Sequence, residues 1–283
     1  MKSILSTASP ETTPDVGTEF CTNAQVQKIS FTGSTRVGKL LMKLSSDTVK
    51  RLSLELGGNA PFIVFEDADL DTAVSAAMAS KFRNAGQTCV CADRFLVHSS
   101  VKDEFCDRLV QEMKKLRVGP GIKESTKMGP LISAQAAKAV EDKVEEAVAD
   151  GANLITGGRL MEELGSHFYE PTLLTNVPRK SRIFSEETFG PVVAMTTFDT
   201  EEEAISIAND CSVGLASYFC TKDLSRAMRV SRQIEAGLVG VNEGIISTCT
   251  APFGGVKESG LGREGSPMGI NEYLETKYIF LNE

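Results

Sequence analysis

Strand-like and helix-like segments alternate along nearly the whole chain, and this alternation constrains the fold more than any other feature. Strand-like runs occur at 28–32, 52–56, 61–65, 94–98, 192–198, 214–220 and 237–241. Helical periodicity lies between them at 36–45, from Asp67 or Asp69 to about 83, and at 102–115, 134–149, 201–210 and 223–235. Strands that alternate with helices predict an α/β fold with a largely parallel sheet. Residues 7–23 are polar and turn-rich, which predicts a loop or a loosely held helix.

Charge and hydropathy exclude two classes of partner. The formal net charge is −8 and the 30 basic residues form no cluster, so neither nucleic acid nor a membrane surface is an expected partner. No apolar run approaches the roughly 20 residues that a membrane-spanning helix needs. The first residues, Met1–Leu5, show no clear targeting segment.

The cysteines and histidines argue against disulfides and metals. The seven cysteines are odd in number and scattered, which favours reduced thiols. With two histidines and no Cys-x-x-Cys pair, no metal site is expected.

A glycine-rich turn follows the first predicted strand. The stretch 33–39 fits the phosphate-loop pattern up to Lys39, but Leu40 stands where a magnesium-binding hydroxyl belongs. A phosphoryl-transfer enzyme is therefore disfavoured. The backbone N–H groups at Ser34 and Thr35 could still hold a pyrophosphate at a helix N-terminus. The alternative is an ordinary strand-to-helix turn.

Cys89 lies in a turn of small residues, 84–91, directly after a predicted helix. Such a turn can expose a thiol and present backbone N–H groups to it, which favours the thiolate. The alternative is a buried structural cysteine. Cys91, two residues further on, could form a reversible disulfide with Cys89 under oxidation.

Glu55 is a carboxylate between two leucines, followed by Gly57 and Gly58. It either faces solvent from an amphipathic strand or lies in an apolar pocket with a raised pKa, which would suit a general base. Two further motifs, 185–191 and the glycine-rich 253–264, are weak signals by themselves.

In this order, the motifs resemble those of the aldehyde dehydrogenase superfamily, from about Val26 to Tyr278. The resemblance implies a parallel-rich open sheet with helices on both faces, and NAD as cofactor with NADP as the alternative. It implies that Gly33, Ser34 and Gly38 bind the pyrophosphate, Cys89 is the nucleophile, Glu55 the general base, Glu187 the ribose ligand and Phe189 the nicotinamide contact.

Two stretches, 80–91 and 241–247, look like the succinate-semialdehyde dehydrogenase branch of that superfamily. The resemblance implies that Arg83 and Ser247 hold the distal carboxylate of a small anionic aldehyde. Arg83 in a structural salt bridge is the alternative. The implied reaction is oxidation of succinic semialdehyde to succinate through a Cys89 thiohemiacetal and thioester, in 4-aminobutyrate degradation. The implied location is mitochondrial, with the cytoplasm as the alternative.

Members of this superfamily carry a long segment ahead of the Gly33 turn. We therefore expect a truncated Rossmann-like remnant of the NAD-binding domain at 1–57, the catalytic domain at 58–256, and a return segment at 257–283. The last segment would form a homo-oligomer through a strand at Thr276–Leu281. Two other functions stay open: a truncated, weakly active or inactive subunit that acts by association, and a dehydrogenase of another carboxylated aldehyde.

Overall fold

The computed structural model describes residues 13–283. In chain order its elements are α1 Thr13–Thr22, β1 Lys28–Thr32, α2 Thr35–Ser45, β2 Arg51–Glu55, β3 Ala60–Val64, α3 Leu70–Phe82, β4 Ala92–His98, α4 Lys102–Met113, α5 Ala134–Ala149, β5 Asn153–Thr156, β6 Thr172–Thr175, α6 Arg182–Ser185, β7 Val192–Phe198, α7 Glu201–Asn209, β8 Val213–Gly214, β9 Ala216–Cys220, α8 Leu224–Gln233, β10 Leu238–Val241, β11 Val256–Lys257 and β12 Gly260–Leu261. No helix within 13–283 is long and apolar enough to cross a membrane.

Chain contacts divide the protein into two compact units. One joins Met1–Leu56 to Thr248–Glu283, and the other is Gly57–Ser247. Of the first unit, residues 13–56 and 248–283 are described. The three-part division into 1–57, 58–256 and 257–283 stays a prediction, and its first 12 residues lie outside the described part of the chain.

The larger unit is built on a seven-stranded sheet in the order β10-β9-β3-β4-β7-β6-β5. Every neighbouring pair is parallel except β5 with β6. The central strands read as almost continuous apolar runs because both of their faces are covered. All five residues of β3 are buried, and Phe95, Leu96 and Val97 of β4 have no exposed surface. This sheet confirms the predicted α/β fold.

The smaller unit contains a three-stranded sheet in the order β1-β2-β12, with β1 parallel and β12 antiparallel to β2. Its core is formed by Cys21, Ile29 and Leu41, against which Phe31 and Leu52 pack. The chain therefore passes from Glu55, the last residue of β2, into the larger unit within two residues.

Most predicted elements agree with the structure to within one or two residues, and β1, α5 and β7 agree at both ends. Residues 13–22 form a helix, which confirms the second of the two alternatives for that segment, and residues 7–12 lie outside the described ones. Strands β5 and β6 were not expected, because each has only four residues and neither shows a clear alternation of apolar and polar side chains. Residues 276–281 form no strand within the single chain. Since a strand needs a partner edge, the intersubunit strand stays a prediction.

Candidate active site

Cys89 is presented by a tightly folded loop between α3 and β4. Asn84, Ala85 and Gly86 are consecutive left-handed residues, with φ of 52°, 54° and 77°. Only glycine fits at position 86, because a Cβ there would overlap the carbonyl oxygen of Gly190. Ala85 adopts the left-handed conformation at a cost of about 1–3 kcal/mol, so the surrounding contacts must hold this turn in place.

Gln87 supplies part of that support. Its side-chain amide donates to the carbonyl of Asn84 at 2.9 Å and to that of Pro130 at 3.3 Å. Its Oε1 accepts from the N–H of Ile132 at 2.8 Å. One side chain therefore ties the turn to itself and to a neighbouring segment.

The backbone on both sides of Cys89 is also fixed. A Cβ on Gly58 would overlap the carbonyl oxygen of Cys89, so the two backbones are in direct contact. The Tyr218 hydroxyl donates to the carbonyl of Val90 at 2.7 Å. Cys89 itself is half-buried, whereas Cys91 is 2% exposed. The structure thus separates an accessible thiol from a structural one.

Glu187 also contacts Gly58. Its Oε1 accepts from the Gly58 N–H at 3.0 Å, and its carbonyl accepts from Lys143 Nζ at 2.8 Å. Burial raises the pKa of Glu187 to about 7, helped by the charge of Asp93 and opposed by the Gly58 hydrogen bond and Lys143. Gly58 therefore contacts both the Cys89 loop and this carboxyl group.

Phe189, two residues after Glu187, has a φ of 51° and a side chain that is 43% exposed. A large aromatic ring held at the surface in a strained conformation is available to stack on a planar ligand.

Arg83 is exposed at the start of the Cys89 loop. Among residues 13–283 it makes no salt bridge. This does not support the alternative that Arg83 forms a structural salt bridge. The pKa of Tyr218 is raised by burial and by Cys91, lowered by Arg83, and raised by Cys89 and Glu243. Arg83, Cys89 and Glu243 are therefore near enough for their charges to act on the Tyr218 hydroxyl.

Ser247 is exposed in the loop that follows β10. Gly244 of the same loop packs so closely on α3 that a Cβ would overlap the carbonyl oxygen of Ala76. The loop carrying Ser247 and the helix preceding Arg83 are therefore in contact.

Glu55, in the smaller unit, is 2% exposed, which excludes the solvent-facing alternative. Its Oε2 is buried without a hydrogen-bond partner among residues 13–283. Burial and the charge of Glu264 raise its pKa to about 8, and Arg263 opposes them. The Arg263 guanidinium donates to the carbonyls of Gly255 and Gly262, at 2.9 Å and 2.8 Å. A carboxyl group with a free oxygen and a near-neutral pKa suits proton transfer.

The predicted pyrophosphate residues surround the N-terminus of α2. Ser34 caps this helix by accepting from the N–H of Val37, and both Gly33 and Ser34 are exposed. Gly38 is instead buried, and a Cβ there would lie 2.5 Å from the Leu56 side chain. Its missing side chain therefore allows close packing, and its role in cofactor binding stays a prediction.

The sequence matches the Aldehyde dehydrogenase family over residues 5–279. The chain belongs to this family. It is 56% identical over 266 residues to the mitochondrial succinate-semialdehyde dehydrogenase of Rattus norvegicus, covering 94% of this chain and 51% of that protein. It is 50% identical over 279 residues to succinate-semialdehyde dehydrogenase [NADP(+)] 1 of Schizosaccharomyces pombe, covering 99% and 56%.

A solved structure agrees with this result. The succinate-semialdehyde dehydrogenase from Burkholderia pseudomallei superposes with a TM-score of 0.92 and 52% identity, covering 95% of this chain and 55% of that one. This aldehyde dehydrogenase chain thus spans about half the length of the curated relatives it matches.

Each unit has groups whose chemistry suits a part of a nicotinamide dinucleotide. In the larger unit, the Glu187 carboxylate suits ribose hydroxyls and the exposed Phe189 ring suits a planar base. In the smaller unit, the exposed helix N-terminus that Ser34 caps suits phosphate. No group of three or more potential ligand side chains within 13–283 could hold a metal ion.

Sequence analysis missed Gly58, Lys143 and Tyr218 as site residues. Each acts on a residue more than 30 positions away, by packing or by a single hydrogen bond. Of the three, only Gly58 had a local signal, the paired glycines after Glu55.

Proposed function

We propose that this aldehyde dehydrogenase oxidises succinic semialdehyde to succinate, using NAD, with NADP as the alternative. The observation that carries the proposal is that Gly58 contacts both the backbone of Cys89 and the carboxylate of Glu187. It brings the predicted nucleophile and a predicted cofactor ligand to one place. The names of the rat and fission yeast relatives support the choice of aldehyde.

In the proposed reaction, the Cys89 thiolate adds to the aldehyde carbon and forms a thiohemiacetal. A bound dinucleotide supplies the acceptor for the hydride that leaves this carbon. The product on the protein is then a Cys89 thioester. Ser34 would hold the pyrophosphate, Glu187 a ribose and Phe189 the nicotinamide ring.

Glu55 would complete the reaction as a general base. Its carboxylate takes a proton from water, the water oxygen attacks the thioester carbon, and the Cys89 sulfur leaves as succinate forms. A pKa of about 8 makes the Glu55 carboxylate a stronger base than an ordinary surface carboxylate.

Arg83 and Ser247 would bind the distal carboxylate of the substrate. An arginine without a salt-bridge partner among residues 13–283 keeps its two-pronged donor geometry free for a carboxylate. A dehydrogenase of another carboxylated aldehyde uses the same argument and remains the second candidate.

Association between copies of the chain is a further proposal. Tyr278, Ile279, Phe280 and Leu281 are consecutive and 70–84% exposed, and we propose that they contact another subunit of a homo-oligomer. The mitochondrial relatives support a mitochondrial location, with the cytoplasm as the alternative.

The test of the proposed function is turnover of succinic semialdehyde, followed through the absorbance of the reduced dinucleotide. We expect activity in the wild type, loss of activity in Cys89→Ser, and wild-type activity in Cys249→Ser, which changes an exposed cysteine of the smaller unit. Equal activity of the Cys89→Ser and Cys249→Ser variants would refute Cys89 as the nucleophile. A wild type that oxidises a longer carboxylated aldehyde faster would favour the second candidate.

A further inference from the structure

A buried ion pair connects the two ends of the loop that carries Cys89. Lys81 Nζ and Asp93 Oδ1 are 2.7 Å apart, and their side chains are 0% and 3% exposed. Lys81 lies in the last turn of α3 and Asp93 is the second residue of β4. The ion pair therefore joins the two ends of the segment that contains Arg83 and Cys89.

The same two residues make further contacts with the site. The carbonyl of Lys81 accepts from the Cys91 thiol at 3.9 Å. The second oxygen of Asp93, Oδ2, accepts from the N–H of Thr188 at 3.4 Å. Thr188 stands between Glu187 and Phe189. One carboxylate thus links the nucleophile loop to the segment that bears the predicted cofactor ligands.

Stability alone gives a poor explanation of this pair. Removing two charges from water is costly, and an apolar pair of similar volume in the same place is often neutral or stabilising. The two charges also act on Glu187, because Asp93 raises its pKa whereas Lys81 lowers it. The pair lies where it can fix both the spacing and the charge balance between the two segments.

We propose that Lys81 and Asp93 are positioning residues that hold the Cys89 loop at a fixed distance from the Glu187–Phe189 segment. The proposal rests on the proposed function, since it takes Cys89 as the nucleophile and Glu187 as a cofactor ligand. Neither residue needs to touch the substrate or the cofactor. They act through Thr188 and through the two ends of the loop.

Two double variants test the proposal. Lys81→Met/Asp93→Leu keeps the volume but removes both charges and the acceptor for Thr188. Lys81→Gln/Asp93→Asn removes the charges but keeps hydrogen-bonding groups at both positions. The control, Lys138→Met/Asp142→Leu, removes an exposed ion pair of α5 and likewise leaves the net charge unchanged.

The readouts are thermal unfolding, dinucleotide affinity by calorimetry, and the rate at which iodoacetamide alkylates Cys89 at pH 7. Alkylation is measured by mass spectrometry on the tryptic peptide 84–94, with fragment ions that separate Cys89 from Cys91. Affinity and thiol reactivity require no turnover. A wild type that does not oxidise succinic semialdehyde would therefore refute the proposed function while the positioning role is still decided.

We expect Lys81→Met/Asp93→Leu to fold, to bind the dinucleotide about tenfold more weakly, and to lose at least about threefold in Cys89 alkylation, because ordered N–H groups favour the thiolate. Lys81→Gln/Asp93→Asn should recover most of both losses, and the control should match the wild type. Wild-type affinity and alkylation in Lys81→Met/Asp93→Leu would overturn the proposal, and so would equal losses in both double variants.

If the apolar pair does not fold, Lys81→Arg replaces it. We expect the longer guanidinium to keep both charges but to push the Asp93 carboxylate away from the Thr188 N–H. Weaker dinucleotide binding with an unchanged unfolding temperature would then support the positioning role, and unchanged binding would overturn it.

Discussion

The N–H of Gly58 donates to Glu187 Oε1 at 3.0 Å, from a position where the same glycine touches the backbone of Cys89. A residue without a side chain is required there because a Cβ would overlap the carbonyl oxygen of Cys89. In the contact between Gly58 and Cys89 both partners are backbone atoms, which cannot rotate away as a flexible side chain could. Any displacement of Gly58 would therefore also displace Cys89, the proposed nucleophile.

Replacement of Gly58 by alanine should strongly reduce turnover. The added methyl group must push Cys89 away, and a shift of about 1 Å at a reacting group can cost roughly a hundredfold in rate. The measurement is kcat with succinic semialdehyde, together with thermal unfolding. The matched control is Gly129→Ala, because nothing lies within 4 Å of a Cβ at that position. A kcat within twofold of the wild type in Gly58→Ala would show that the loop tolerates the displacement.

Glu55→Gln should change how stability depends on pH. Because burial raises the pKa of Glu55 to about 8 in the folded protein, the folded state holds this proton more tightly than the unfolded chain does. The Glu55 contribution to stability is thus fully present below the unfolded pKa and is lost as pH rises towards 8.

Glutamine has no such titration. The difference in unfolding free energy between Glu55→Gln and wild type should therefore shift in favour of the variant between pH 4.5 and pH 8, by on the order of a few kcal/mol. Urea unfolding at several pH values measures it. The exposed Glu258→Gln variant is the control, and parallel pH curves for Glu55→Gln and wild type would contradict the raised pKa.

Local patterns in the sequence were sufficient to predict β1 and α5, since each depends on residues close together in the chain. For the N-cap of α3 they left Asp67 and Asp69 as alternatives, and the structure selects Asp69. These patterns could not decide the environment of Glu55. Alternation along a strand assumes one covered face, but Leu54 and Glu55 are consecutive and both buried, because the end of β2 is covered on both faces.

Contacts between residues far apart in the chain could not be predicted from the sequence either. The hydrogen bond from Tyr218 to Val90 joins positions 128 residues apart. Lys81 and Asp93 are closer in sequence, yet the sequence around them does not show whether they are buried or exposed. These side chains influence the site because they are buried, and their burial depends on the fold of the whole unit.

Glu187→Gln should remove the pH dependence of dinucleotide affinity. Burial raises the pKa of Glu187 to about 7, so its carboxylate becomes charged as pH rises through neutrality. As the proposed ribose ligand, the charged carboxylate would accept stronger hydrogen bonds from ribose hydroxyls. We expect the wild type to bind the dinucleotide more tightly at pH 8 than at pH 6, by about tenfold or less. Calorimetry at both pH values is the measurement. The adjacent Glu186→Gln, whose side chain is exposed, should keep the wild-type profile.

Arg83→Ala should discriminate between substrates according to their charge. Hydrogen bonds to a charged group contribute about 1.5–3 kcal/mol, so loss of the guanidinium should raise the KM for succinic semialdehyde roughly ten- to a hundredfold. The KM for butanal, which has the same chain length but no carboxylate, should change little. The exposed Arg232→Ala on α8 is the matched control for loss of a positive charge. A similar loss for both aldehydes in Arg83→Ala would mean that Arg83 supports the loop of Cys89 and does not bind the carboxylate, since a displaced nucleophile would slow every substrate alike.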